Sequence, residues 1–295
     1  MYNYSIIIPH YNVPQLLQRC LDSIPDRPDV EVIVVDDCSD PQRVNKAAFP
    51  GLARPNTAVI FSDGTKGKGP GFARNEGLKH ATGKWIIFAD ADDYMLPSLS
   101  QLMNTYVDAP EDVLYFRCAK EEADGSFIDS YDYMDNAIDL ALVGNEDELL
   151  YYTPCPWAKF IKRSYIEFHH ITFQQITGGD DYLFSIDIAQ HTTKRRYIQS
   201  AFYCVVMAPD SLTRTTDWHR FYNFSIGSCS AYKALLPLRK EQQASAWVRK
   251  WYILLYEANP WQALRLFSLM QRTIGWKLSL VNLKKGFIKR HSSKK

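Results

Sequence analysis

The 295-residue chain lacks the marks of several large protein classes. Its six cysteines (Cys20, Cys38, Cys118, Cys155, Cys204 and Cys229) form no Cys-x-x-Cys pair and no cysteine–histidine cluster with zinc spacing. This excludes a disulfide scaffold or a zinc-finger-type site and reads as the reduced, mostly structural thiols of a cytosolic protein. His169 and His170 are adjacent in sequence, so they cannot share a helix face and make a poor metal pair. The N-terminal apolar stretch Ile6-Ile7-Ile8 is too short for a membrane span or signal peptide, and no basic segment precedes it. A formal charge of +1 excludes a protein built to coat nucleic acid. Two phosphate-binding signatures also fail: Gly67-x-Gly69 is followed by Phe72 where a dinucleotide fingerprint has its third glycine. Between Gly77 and Gly83 the gap is one residue too long for a P-loop, and Trp85 replaces its Ser/Thr. Repeats and low-complexity tracts are absent.

What is present is an ordinary globular composition, 46% hydrophobic and 23% charged, enough for one catalytic domain with a smaller appendage. Apolar runs over Tyr4–Pro9, Val30–Val35, Ala58–Phe61 and Trp85–Ala89 read as strands. Between them, Asn12 with Pro14 reads as an Asx-capped helix start, Pro41–Phe49 as a short helix, and Pro70–Ala81 as a helix leaving through Thr82-Gly83. This alternation predicts an α/β fold with a mostly parallel, doubly wound sheet. Further on, Val113–Lys120 reads as a strand, Asp124-Gly125 as a turn and Asn145–Tyr152 as an Asn-capped helix. From about Thr216 the spacing of Trp218, Phe221, Phe224, Trp247, Trp251, Leu254 and Leu255 is helical. The expected division is 1–215, with a nucleotide-binding half 1–95 and an acceptor half 96–215, and a helical extension over 216–295.

The most informative stretch is Trp85-Ile86-Ile87-Phe88-Ala89-Asp90-Ala91-Asp92-Asp93, an apolar strand that runs into three carboxylates. Buried parallel strands end at a sheet edge, where sites form, and residues two apart in extended chain point the same way. Asp90 and Asp92 can therefore aim at one hard cation such as Mg²⁺ or Mn²⁺. The alternative is a helix N-terminus before Leu96-Pro97-Ser98, a role that suits Asp93. The second strand also ends in acids, Asp36 and Asp37. The Gly- and Lys-rich loop Asp63–Gly71, with Lys66 and Lys68 before a helix, has the makings of a diphosphate site. Of Asp180 and Asp181, which open an apolar helix, Asp180 is assigned to capping and Asp181 to chemistry. The segment Thr153–Phe160, with Trp157, fits either an acceptor-pocket lining or the core.

Five of these pieces, in order, resemble family 2 glycosyltransferases of the GT-A fold. They are Ser5–Asn12, Val34–Ser39, Gly71–Gly77, Phe88–Asp93 and Asp180–Phe184, within about residues 4–215. The resemblance implies a nucleotide-sugar donor, usually UDP-linked. It implies Tyr11 and Asp37 at the base and Arg74 and Asn75 near the phosphates and sugar, with Pro9, Lys68 and Asp90 also expected among the substrate-binding residues. It also implies Asp90-Ala91-Asp92 as a D-x-D motif holding Mn²⁺ or Mg²⁺ mainly through Asp92, Asp181 as the base, and inversion at the anomeric carbon. Cys38 departs from the family's frequent glycine and Asp180 from its usual glutamate. Two other classes remain open: a nucleotidyltransferase, which would normally have a glycine-rich loop after the first strand, and a non-catalytic nucleotide-sugar-binding protein.

After Glu257 no acid occurs, while Arg265, Arg272, Lys277, Lys284, Lys285, Lys289, Arg290, Lys294 and Lys295 lie among Trp261, Phe267, Trp276, Phe287 and Ile288. Such a tail suits an anionic membrane surface or a solvated, disordered end. The chain is thus expected in the cytoplasm, with peripheral attachment to the inner membrane face under the first reading. A saccharide or lipid-linked saccharide is the expected acceptor.

Overall fold

A computed structural model describes residues 2–207 and 217–275. Its first half is built on three continuous apolar strands, β1 (Tyr4–His10), β2 (Val30–Asp36) and β4 (Trp85–Phe88), with β3 (Thr57–Phe61) outside β2. Every residue from Tyr4 to Ile8, from Val32 to Val35 and from Trp85 to Phe88 is buried, the pattern of strands covered on both faces. The order β3-β2-β1-β4 is parallel throughout, so all four strands end at one edge. Helices α1 (Pro14–Ser23) and α2 (Pro70–His80) cross back over this sheet. Pro9 is tolerated in the central strand because pairing of β1 with β4 stops at Ile7, so its missing N–H leaves nothing unpaired there.

Beyond β4 the direction changes. After the short β5 (Tyr94–Met95) and α3 (Ser98–Tyr106) come β6 (Val113–Glu121), β7 (Phe127–Ile128), α4 (Asp132–Leu142), β8 (Lys159–Lys162), α5 (Arg163–Phe168), α6 (Asp180–Gln190) and β9 (Arg195–Val206). The path continues β4-β8-β6-β9-β5, with β8 antiparallel to β4 and β6, β9 parallel to β6, and β5 antiparallel to β9. The doubly wound parallel pattern therefore holds for the first four strands and gives way to a mixed sheet.

A large core spans both faces of the sheet, around Trp85, Phe88, Phe116, Phe160 and Phe202. A second apolar cluster joins Tyr182 and Ile186 of α6 to α7 (Trp218–Leu235), α8 (Gln242–Ala258) and α9 (Pro260–Ile274). Tyr182 stacks on Trp247 while Phe184, on the same helix, belongs to the sheet core, so α6 joins the sheet to the C-terminal helices. The expected boundary at 215/216 lies outside the described residues, as do Trp276, Phe287, Ile288 and the cations after Arg272.

Several local expectations are corrected. Asn12 does not cap α1: it sits at φ +60° and its side chain accepts from the Asp40 N–H instead, while Val13 occupies the cap position. Pro41–Phe49 yields only a single 3₁₀ turn, Lys46–Ala48. Asn145 caps nothing, because a π-helical turn begins at Glu148. Gly83 is not a left-handed helix exit. It allows close packing, since a Cβ there would meet the Ser5 backbone nitrogen at 2.6 Å. Asp93 and Asp180 cap no helix either, and both belong to the site.

Candidate active site

The ends of β1 and β2 form a buried polar knot. Nε2 of His10 accepts from the Val13 N–H (3.1 Å), which leaves the proton on Nδ1 to donate to Asp36 Oδ1 at 2.8 Å. The Ser39 hydroxyl and N–H donate to the same carboxylate. Burial alone would raise the Asp36 pKa, but these donors outweigh it and hold the carboxyl below its usual range. Asp36 is thus a structural anion that fixes the strand ends, and sequence reasoning gave it no role. Cys38, at φ +58°, occupies the left-handed conformation that suits glycine.

Asp37 differs from its neighbour. Its Oδ2 accepts from the Gly69 N–H at 2.6 Å, which ties β2 to the start of α2, whereas Oδ1 is buried without a hydrogen-bond partner among the described residues. Burial, with Asp36 beside it, raises its pKa against the Gly69 hydrogen bond and the charge of Lys68. Lys68 is exposed, and the Tyr11 ring is 58% exposed on the same rim.

Arg74 is the centre of the site. Its buried guanidinium donates through Nη2 to Asp90 Oδ1 at 2.5 Å and through Nη1 to Asp180 Oδ2 at 2.6 Å. Desolvation opposes its charge, but Asp90, Asp180 and Asp181 together raise its pKa above the ordinary value. The bridge needs α2 to approach the segment before α6 very closely. Gly71 permits this, because a Cβ there would lie 2.0 Å from the Gln174 carbonyl oxygen. Asn75 is engaged at both ends of its amide by the Phe173 backbone, at 2.8 Å each, so it braces the same approach. It was expected near the donor; one N–H and one lone pair of its amide are taken up by this bracing.

The acids on either side of this bridge are differently placed. No side chain of another described residue donates to the carboxylates of Asp92 or Asp181. Burial and then the charge of Asp90 push the Asp92 pKa up to about 6. At Asp181 burial and then the charge of Asp180 push it up to about 7, against the pull of Arg74. Asp93 is instead buried and saturated: it accepts from the Tyr203 hydroxyl at 2.7 Å and the Val206 N–H at 2.8 Å. The same hydroxyl accepts from the Asp90 N–H at 2.9 Å, and Arg19 donates to the Asp92 carbonyl at 2.5 Å. Asp93, Tyr203 and Arg19 thus hold the Asp90–Asp93 turn. Asp93 stood beside the motif in sequence, but Arg19 and Tyr203 carry no local signal.

Among the described residues no trio of His, Cys, Asp or Glu converges as a metal cage. Asp90 and Asp92 nevertheless fit a cation held by one or two carboxylates with diphosphate oxygens and water completing its shell, since Asp92 is an oxygen donor that burial and then the neighbouring charge of Asp90 leave short of a counter-charge.

Residues 5–167 match the family described as Glycosyl transferase family 2. The chain belongs to that family. This family 2 glycosyltransferase is 30% identical over 189 residues to the poly(ribitol-phosphate) beta-glucosyltransferase of Bacillus spizizenii, covering 62% of this chain and 29% of the relative. It is 26% identical over 192 residues to the poly(ribitol-phosphate) beta-N-acetylglucosaminyltransferase TarS of Staphylococcus aureus, covering 63% and 32%. The chain thus spans about a third of the length of these relatives. The crystal structure of S. aureus TarS 1–349 in complex with UDP-GlcNAc superposes over 99% of this chain and 92% of that one, with TM-score 0.67 and 19% identity. That likeness establishes the shared GT-A fold.

Proposed function

We propose that this glycosyltransferase moves a sugar from a nucleotide-diphosphate donor, of UDP type, to an acceptor hydroxyl with inversion, in assembly of a cell-surface polysaccharide or glycolipid. One observation carries the reading: buried Arg74 ties Asp90 of the D-x-D segment to Asp180, so Asp92 and Asp181, which take no side-chain donor from the other described residues, flank one ion pair. The names of the relatives, which transfer glucose or N-acetylglucosamine to poly(ribitol-phosphate), support a sugar donor and a hydroxyl-rich acceptor.

The donor is read onto the rim of β1, β2 and α2. The unpartnered Asp37 Oδ1 is an acceptor suited to the imide N–H of a uracil, and the exposed Tyr11 ring, next to Pro9, offers a face to the base. Lys68 and the N–H groups at the start of α2 suit the diphosphate. A divalent cation, Mn²⁺ or Mg²⁺, when bound by Asp92 with Asp90, would stabilise charge on the departing diphosphate. Asp181 takes the acceptor proton as the nucleophilic oxygen forms its bond to the anomeric carbon and the bond to the diphosphate breaks. A carboxyl tuned to about 7 is matched to that work near neutral pH.

Release of UDP from UDP-sugars in the presence of Mn²⁺ tests this reading. Asp92→Asn should reduce release nearly to background, and full activity of the wild type in excess chelator would sink the metal assignment.

The cytoplasmic, membrane-peripheral reading gains support from α9. Trp261 is 81% exposed, and Leu264, Arg265 and Arg272 lie on the same outward face, while Ala263, Leu266 and Met270 are buried. No described helix is long and apolar enough to cross a membrane. Deleting residues 284–295 removes six Lys/Arg and should release the protein from acidic vesicles in a co-sedimentation assay. Equal pelleting of both forms would leave the tail a solvated end.

A further inference from the structure

Between the D-x-D turn and α4 stands an aromatic wall that donor binding does not use. Trp157 stacks face to face on Tyr203, with centroids 5.6 Å apart and planes 7° apart. Tyr131 lies against Trp157 at 6.4 Å and against Tyr133 at 5.8 Å. Trp157 and Tyr131 are half-buried and Tyr133 is 41% exposed, so the wall has an open side. Its back is rigid. Buried Lys159 draws in the carbonyls of Cys155 (2.5 Å) and Trp157 (3.4 Å), and Tyr203 is anchored through its hydroxyl to Asp90 and Asp93. The back of the wall also touches the helix whose first turn carries Asp181: the Ser185 hydroxyl of α6 donates to the Cys155 carbonyl at 3.3 Å.

We propose that Trp157, Tyr131 and Tyr133 form the acceptor subsite, a shelf for the C–H face of a saccharide ring or polyol whose hydroxyls turn toward Asp181. The assignment rests on the glycosyl-transfer reading above. Its chemistry selects the ligand class. An aromatic face beside carboxylates suits a molecule with an apolar flank and a hydroxylated edge, whereas a purely apolar ligand would desolvate the acids without pairing them. The fixed back means that little ordering is needed on binding.

Saturation-transfer NMR on the UDP-bound protein, with methyl β-glucopyranoside and ribitol as probes, tests the shelf. The wild type should saturate carbon-bound protons of at least one probe. Trp157→Ala and Tyr133→Ala should each weaken that probe's binding about tenfold, equivalent to about 1.4 kcal/mol of stacking. Tyr133 lies on an exposed helix surface, so its truncation cannot collapse the core. Undiminished saturation in both variants overturns the proposal, as does a wild type that binds UDP but saturates neither probe. A wild type that fails to bind UDP overturns the donor reading instead.

Discussion

Asp180 and Asp181 are neighbours with the same side chain, and their surroundings give them opposite work. Asp180 completes a buried ion pair with Arg74, while Asp181 has no side-chain donor among the described residues and holds its proton to about 7. Replacing Asp180 by Asn leaves Arg74 short of a buried counter-charge, so the expected effect is a loss of about 3 kcal/mol in stability, measurable by urea unfolding. Asp181→Asn should instead retain stability and UDP affinity while lowering turnover by about 10² or more, because a base acts only in the transition state. The raised pKa adds a pH signature. Asp181 must be ionised to accept a proton, so kcat/KM should climb as pH rises through about 7 and flatten above it. A profile flat from pH 5 to 8 would exclude Asp181 as the base.

The Asp90–Asp93 turn, as an element, is held from outside itself. The Tyr203 hydroxyl on β9 takes the Asp90 N–H and gives its proton to Asp93, and Arg19 on α1 holds the Asp92 carbonyl. Tyr203→Phe keeps the ring stack on Trp157 but strands two buried polar groups, which costs about 1–3 kcal/mol. If Tyr203 positions the turn, the variant should also need more Mn²⁺ for half-maximal UDP release, and Tyr203→Phe with an unchanged Mn²⁺ requirement would reduce it to a packing residue. Gly71→Ala probes the opposite support. Its new Cβ collides with the Gln174 carbonyl, so α2 must move away from α6 and pull Arg74 off Asp180. A melting temperature equal to wild type would contradict that account.

Across the whole molecule, the site is a concentration of acids the fold must hold together. The pKa values of Asp92 and Asp181 are raised above the usual carboxylate value, so the folded protein binds protons that the unfolded chain releases. Stability from these groups is therefore fully present below about pH 4 and lost as pH rises toward 7. Other acids, Asp36 among them, have the opposite sign, so the site's share is read by difference: in chelator, Asp92→Asn should gain stability relative to wild type on going from pH 5 to pH 8. Mn²⁺ should stabilise the wild type more at pH 8 than at pH 5, and should do little for the variant. Equal Mn²⁺ stabilisation at both values would mean that ionised Asp92 is not its ligand.

Local order in the chain determined the parallel half of this protein. Short apolar runs rich in Val and Ile, bounded by turn residues, read as strands covered on both faces, their acids follow at fixed positions, and so the edge carrying Asp37, Asp90 and Asp92 was legible in the sequence. The five motifs, in order, carried the family resemblance. Signals that depend on a single residue failed where a distant group competed for that residue: Asn12 is drawn to Asp40, Asp93 to Tyr203 and Asp180 to Arg74. The reversal of direction at β8, the bracing of Asn75 by Phe173 and the aromatic wall around Trp157 were settled only by tertiary structure. The reason is physical: a carboxylate or an amide bonds whichever partner the fold brings within about 3 Å, and its neighbours in sequence do not reveal which partner that is.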